Sequence, residues 1–165
     1  MSMRLSKILL MLVIALWLAL VAFGNITDHG SNWVFVQHVL AMDSIFPGAD
    51  IQYRAIHSPT LQHLAYLAII AAETVAAALC GVGGWQMWRA RRAPAPTFRH
   101  AARMAVVGLS LGVLLWLGGF MAIGGEWFGM WMSSQWNGLG SAFRFVVVLL
   151  AALIYLGQHD DEPDN

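Results

Sequence analysis

Apolar residues along this chain gather into four long runs, and the polar residues are confined to the segments between them. The first run extends from Ile8 to Phe23, after Arg4 and Lys7 and before Gly24 and Asn25. The second holds from Leu64 to Trp88, behind a helix-start signal in which Ser58 can cap and Pro59 can take the first helical position. The third runs from Met104 to Ile123; the fourth begins between Gln135 and Ala142 and ends at Leu156. About 20 apolar residues at about 1.5 Å each span a hydrocarbon layer of about 30 Å. The pattern therefore predicts four membrane-spanning helices, near 6–24, 60–88, 102–123 and 138–156. The first run also fits a secretory signal peptide, with a flanking snorkelling Lys7 as the feature of the spanning alternative.

The segment from Asn25 to His57 is too long for a turn and too apolar for a solvated tail. It predicts a partly helical, membrane-lying stretch, capped by Ser31 or Asn32 and broken at Pro47 and Gly48. The linker after span two carries APAP (Ala93–Pro96), which reads as semi-rigid rather than helical. Composition agrees with lipid as solvent: 59% of residues are hydrophobic, 11% are charged, and mean hydropathy is +0.64. The expected architecture is an all-α membrane protein, a single four-helix transmembrane bundle over 1–158, followed by an acidic tail, 159–165.

The formal net charge is zero, but the cations are segregated. Arg4, Lys7, Arg89, Arg91, Arg92, Arg99 and Arg103 fall on one side of the predicted spans, and only Arg54 and Arg144 on the other. Cytoplasmic loops carry the Lys and Arg excess, so both termini and the Arg-rich linker are expected in the cytoplasm and the long loop in the periplasm. Trp85 and Trp88 would form one interfacial belt, Trp33, Trp127, Trp131 and Trp136 the other, with Trp17 and Trp116 packed inside. Cys80 is the only cysteine, which excludes an intramolecular disulfide.

Within this frame Glu73 is the first candidate for chemistry, since it falls near mid-bilayer, where an ionisable group faces the protein interior and pairs. Arg144 is its expected partner. The plainer alternatives are a hydrogen-bonded carboxyl that glues helices and an arginine that snorkels to lipid phosphate. Gly108, Gly112 and Gly119 form a small-residue stripe expected to bring spans two and three together. The loop Gly124–Gly138 carries Glu126, Trp127, Trp131, Trp136 and Asn137. With Asp28, His38, Asp43, Arg54 and His57 it would form a polar and aromatic lid, suited to a lipid-like or quinone-like ligand or to a partner subunit. A simple anchoring belt is the alternative. His29, His38, His57 and His63 show neither HxxH nor HxxxH spacing, so no metal and no cofactor are expected. Nucleotide loops, hydrolase elbows and a nucleic-acid face are also missing from the sequence.

Several motifs together resemble a known family. HVLAMD (His38–Asp43) with Phe46 and Pro47, RAI (Arg54–Ile56), and His63 and Tyr66 ahead of Glu73 carry the likeness, as do GGEWF (Gly124–Phe128), WNG (Trp136–Gly138) and AFRF (Ala142–Phe145). The chain resembles the bacterial predicted small integral membrane proteins of unknown function. The resemblance implies a four-helix inner-membrane protein and brings no activity, cofactor or catalytic residue with it. The expected function is a non-catalytic module: an accessory subunit of a larger membrane complex or homo-oligomer, or a binder of a lipid-like molecule at the periplasmic side. A proton-linked transporter titrating Glu73 and an enzyme using Glu126 and His38 on a lipid or quinone are the alternatives.

Overall fold

The computed structural model describes residues 3–158, so the acidic tail at 159–165 lies outside the described residues. All regular elements among those residues are helical. Helix α1 (Met3–Thr27) is followed almost at once by α2 (His29–Ala41), then by a single 3₁₀ turn (Gln52–Arg54) and α3 (Pro59–Arg89). A short α4 (Ala95–Ala101) leads into α5 (Arg103–Val113), which continues without interruption as a π-helix over Leu114–Trp127. A second 3₁₀ turn (Met130–Met132) precedes α6 (Leu139–Gly157). Four helical stretches, Met3–Thr27, Pro59–Arg89, Arg103–Trp127 and Leu139–Gly157, are long and apolar enough to cross a membrane.

These helices pack against one another through small residues and aliphatic knobs. Ile8, Met11, Ile14 and Leu18 of α1 meet Ala76, Ala77, Cys80 and Met87 of α3 in one buried cluster, which also takes in Leu109 of α5 and Leu149 of α6. The opposite faces stay apolar and exposed, as Val13, Leu16 and Leu20 on α1 and Ile154 on α6 illustrate. Lipid satisfies such faces where water would not. Gly108 fits against Cys80 and Ala76 so closely that a Cβ would sit 2.8 Å from the Cys80 nitrogen, which realises the expected approach of spans two and three. Gly112 instead admits Leu149 of α6, and Gly119 touches only the tip of its own neighbour Leu115, so the three glycines do not serve one seam. Gly83, backed onto the Ala105 backbone, is a second close approach of α3 to α5 and lies outside that stripe.

Ser58 caps α3 as expected, its hydroxyl accepting from the Leu61 N–H at 3.5 Å with Pro59 in the first turn. Three local expectations fail. Neither Ser31 nor Asn32 caps α2: the helix already begins at His29, and the Asn32 amide donates back to the Asp28 carbonyl at 3.1 Å. That helix ends at Met42, in the left-handed conformation with φ 52°, before Pro47 and Gly48 are reached. The linker is helical rather than merely semi-rigid, because Pro94 and Pro96 sit ahead of and within the first turn of α4, where a missing N–H costs nothing.

The basic end is tied shut by buried cations. Lys7 does not snorkel: it is 1% exposed and donates to the Gln158 and Leu156 carbonyls at 2.6 and 3.3 Å, satisfying the C-terminal carbonyls of α6. Arg4 donates to the Ala93 and Arg91 carbonyls at 2.6 and 3.3 Å and lies over the Phe98 ring. The chemically varied end is therefore the other one.

Candidate functional site

At the end opposite the Arg-rich linker, α2 packs against α3 and the end of α1 and buries Val36. Beneath it are two adjoining chambers of about 270 and 260 Å³. The first is almost wholly apolar. Val39 and Leu40 roof it, Ala65 and Ala68 of α3 form one side, and Leu115, Gly119 and Ile123 of the π-helix form the other. The wide π turns set these π-helix residues about four apart on one face, and the Phe128 N–H closes the last turn onto the Ile123 carbonyl at 3.0 Å. The second chamber is lined by Asn25, Tyr66, Glu73, Trp116 and Ser141, drawn from all four long helices. Phe35, Val36, Ile69 and Phe120 line both chambers, so the two lie side by side and share that wall.

Glu73 lies in the polar chamber at 1% exposure. Its Oε2 accepts from the Asn25 amide at 2.7 Å, and the Tyr66 hydroxyl fixes Asn25 in turn by donating to its carbonyl at 2.7 Å. Arg144 is not the partner. It is exposed and donates to the Gly140 carbonyl and the Ser141 hydroxyl, at 3.3 and 2.9 Å. Helix α6 turns Ala142, Val146 and Leu149 inward, and Arg144 stands on the far side of that stripe. The Glu73 Oε1 atom has no hydrogen-bond partner among the described residues, nor has the Trp116 indole nitrogen, and Trp116 is only 6% exposed. An unsatisfied buried polar group costs about 1–3 kcal/mol, so a chamber retaining two of them is expensive as structure alone. The Trp116 ring itself is well held, stacked on Phe145 at 3.9 Å and against Phe120, with Trp17 continuing the column beyond Phe145 at 4.2 Å.

The loop after α2 and the loop before α6 meet at this end. His38 pairs with Asp43 at 2.7 Å and stacks on Trp136 at 4.5 Å. Ser44 donates to the Ser133 hydroxyl at 2.8 Å, and Phe46 stands edge-on to Trp131. Arg54 lies over the Trp127 ring at 4.6 Å and donates to the Trp127 carbonyl. A small apolar core of Met42, Ile45 and Phe128 fills the space between the loops. Other candidates stand outside these contacts. Asp28 is exposed at the α1–α2 corner, Glu126 is exposed on the last π turn, and the Asn137 side chain accepts from the Leu139 N–H at the start of α6. His57 is exposed as well, while His29 and His63 form a ring cluster with Trp33 and Tyr66. No group of three His, Cys, Asp or Glu side chains among the described residues is placed to hold a metal ion.

A family of predicted small integral membrane proteins (DUF2165) matches residues 3–159. The chain belongs to that family. No curated protein and no solved structure matches it. Membership establishes an integral membrane protein of unknown function, in keeping with the four apolar helices. Every motif that carried the resemblance falls on the lid, the chamber walls or α6: HVLAMD supplies the His38–Asp43 pair, GGEWF the last π turn, and AFRF the Phe145 of the ring column. Sequence reasoning missed Asn25, Tyr66 and Trp116 as parts of the polar site. Asn25 had counted only as a span boundary and Trp116 only as packing. The available signal was that an amide at the edge of an apolar run and an indole N–H within one must each find a partner.

Proposed function

We propose that this small integral membrane protein is a non-catalytic binding module for a lipid-like molecule, seated in the bacterial inner membrane as a four-helix bundle with its lid toward the periplasm. The observation that carries the reading is the pair of adjoining chambers, an apolar one beside a polar one, under a lid built from both outer loops. Ligand sites are concave, mostly apolar and furnished with a few convergent polar groups, and this arrangement has that character. The segregation of arginines supports the orientation.

Purification of the full chain into lipid nanodiscs, followed by mass spectrometry of whatever remains bound, tests the proposal. Gly119→Leu is the control, because an added Cβ meets only the Leu115 tip, at 3.7 Å, and the position lines the apolar chamber that a longer side chain would fill. Retention of a lipid-like species by the wild type and its loss from a folded Gly119→Leu variant is the expected result. Equal retention by both would sink the reading, and stoichiometric retention of a protein in place of a lipid would favour the accessory-subunit role.

A further inference from the structure

The polar chamber contains enough open chemistry to specify a head group, given the reading that the adjoining chambers hold a lipid-like molecule. Asn25, Tyr66, Asn32 and Ser141 line it, and each already takes part in a hydrogen bond within the protein. Glu73 Oε1 and Trp116 Nε1 are the buried side-chain atoms of its lining that have none among the described residues. The indole nitrogen can only donate, and a carboxylate oxygen can only accept. A ligand group that accepts from the indole and donates to the ionised Glu73 carboxylate would satisfy both.

A hydroxyl does this. An ammonium could pair with Glu73 but has no lone pair for Trp116. A carboxylate or phosphate could accept from Trp116 but would bring negative charge to Glu73 in a chamber lined by no arginine or lysine. Arg144 is exposed and outside that lining, its guanidinium held on the Gly140 carbonyl and on the hydroxyl of the lining residue Ser141. We infer that the polar chamber receives the hydroxyl head of a neutral lipid-like alcohol, phenolic and quinol hydroxyls included. Its hydrocarbon chain passes Phe35, Val36, Ile69 and Phe120 into the apolar chamber, which those residues also line.

Three photoreactive probes with the same dodecyl diazirine tail and different heads test this: dodecanol, dodecylamine and dodecanoic acid. Each is equilibrated with the full-length protein in phosphatidylcholine nanodiscs, irradiated, and its attachment sites are mapped by peptide mass spectrometry. The alcohol should label chamber residues such as Ile69 and Leu115 about tenfold more than the amine or the acid, the factor expected for one buried hydrogen bond. Trp116→Phe, which keeps a ring for the column and removes the N–H, should lower alcohol labelling by about the same factor. Unchanged melting temperature of that variant separates loss of the donor from loss of the fold, and the wild-type comparison needs no variant. Chamber labelling that is equal for the three heads, or led by amine or acid, overturns the hydroxyl assignment while leaving lipid binding intact. No chamber labelling by any probe overturns the binding reading itself.

Discussion

Glu73 has exchanged water for a single amide, and the chain Tyr66–Asn25–Glu73 ties α3 back to the end of α1 through two hydrogen bonds of 2.7 Å. Removing the middle member should therefore hurt more than removing the cation once expected to pair with the carboxyl. Asn25→Ala is predicted to destabilise the protein by about 1–3 kcal/mol, the cost of stranding a buried charged or polar acceptor, measured as thermal unfolding in mild detergent. Arg144→Gln, at an exposed position, should stay within about 0.5 kcal/mol of wild type. Exchanging the charges, Glu73→Arg with Arg144→Glu, should give no rescue over Glu73→Arg alone; recovery of folding would restore the ion pair. The depth of both groups along their helices was legible in the sequence and made the pair plausible. What decided against it was rotation: Ala142, Val146 and Leu149 mark the inner face of α6 at spacings of four and three, and Arg144 lies off it.

At the scale of the helices, closeness of approach is set where a glycine faces backbone. A Cβ on Gly108 would come within 2.9 Å of the Ala76 carbonyl, and one on Gly83 would run into the Ala105 backbone, so neither can be absorbed by a rotamer change. Gly108→Ala and Gly83→Ala should each cost about 1–3 kcal/mol by prising α3 from α5. Gly119→Ala should be neutral or stabilising by up to about 1 kcal/mol, since its Cβ would meet only the Leu115 tip at 3.7 Å and the substitution removes glycine's backbone freedom. Melting curves of the three variants side by side check the ordering; a Gly119→Ala as damaging as Gly108→Ala would show that the π-helix packs tightly there. The four apolar stretches and the capped start of α3 were readable because hydropathy and caps are local. The π-helix was not: Gly124 and Gly125 read as the start of a loop after a span ending at Ile123, yet the helix runs through them to Trp127 by widening its turns. Gly119 likewise matched the small-residue spacing of an α-helix, but the backbone there is π, and the stripe does not survive the change of period.

For the molecule as a whole, the two ends carry different chemistry, and each is fastened in its own way. Buried Arg4 and Lys7 bind carbonyls of the Arg-rich linker and of the end of α6, whereas the lid end is joined by side chains from two loops far apart in sequence. The exposed His38–Asp43 pair adds little energy by itself, about 1 kcal/mol or less. The Ser44–Ser133 contact is the more useful probe, since side chains whose hydroxyl oxygens are 2.8 Å apart are neighbours that a small shift of either loop brings to disulfide geometry. A Ser44→Cys, Ser133→Cys variant should cross-link, and the native Cys80 will not compete because it is buried among the helices. Disulfides persist in the periplasm and are reduced in the cytosol, so the cross-link also reports orientation. In growing bacteria it should form without added oxidant when the lid faces the periplasm, and appear as a reductant-sensitive mobility shift once a protease site is placed between the two cysteines. Cross-linking by added oxidant in isolated membranes, with none in cells, would keep the lid contact and reverse the topology. Failure in both would mean that the two loops are not held together, and the chambers beneath would lose their roof.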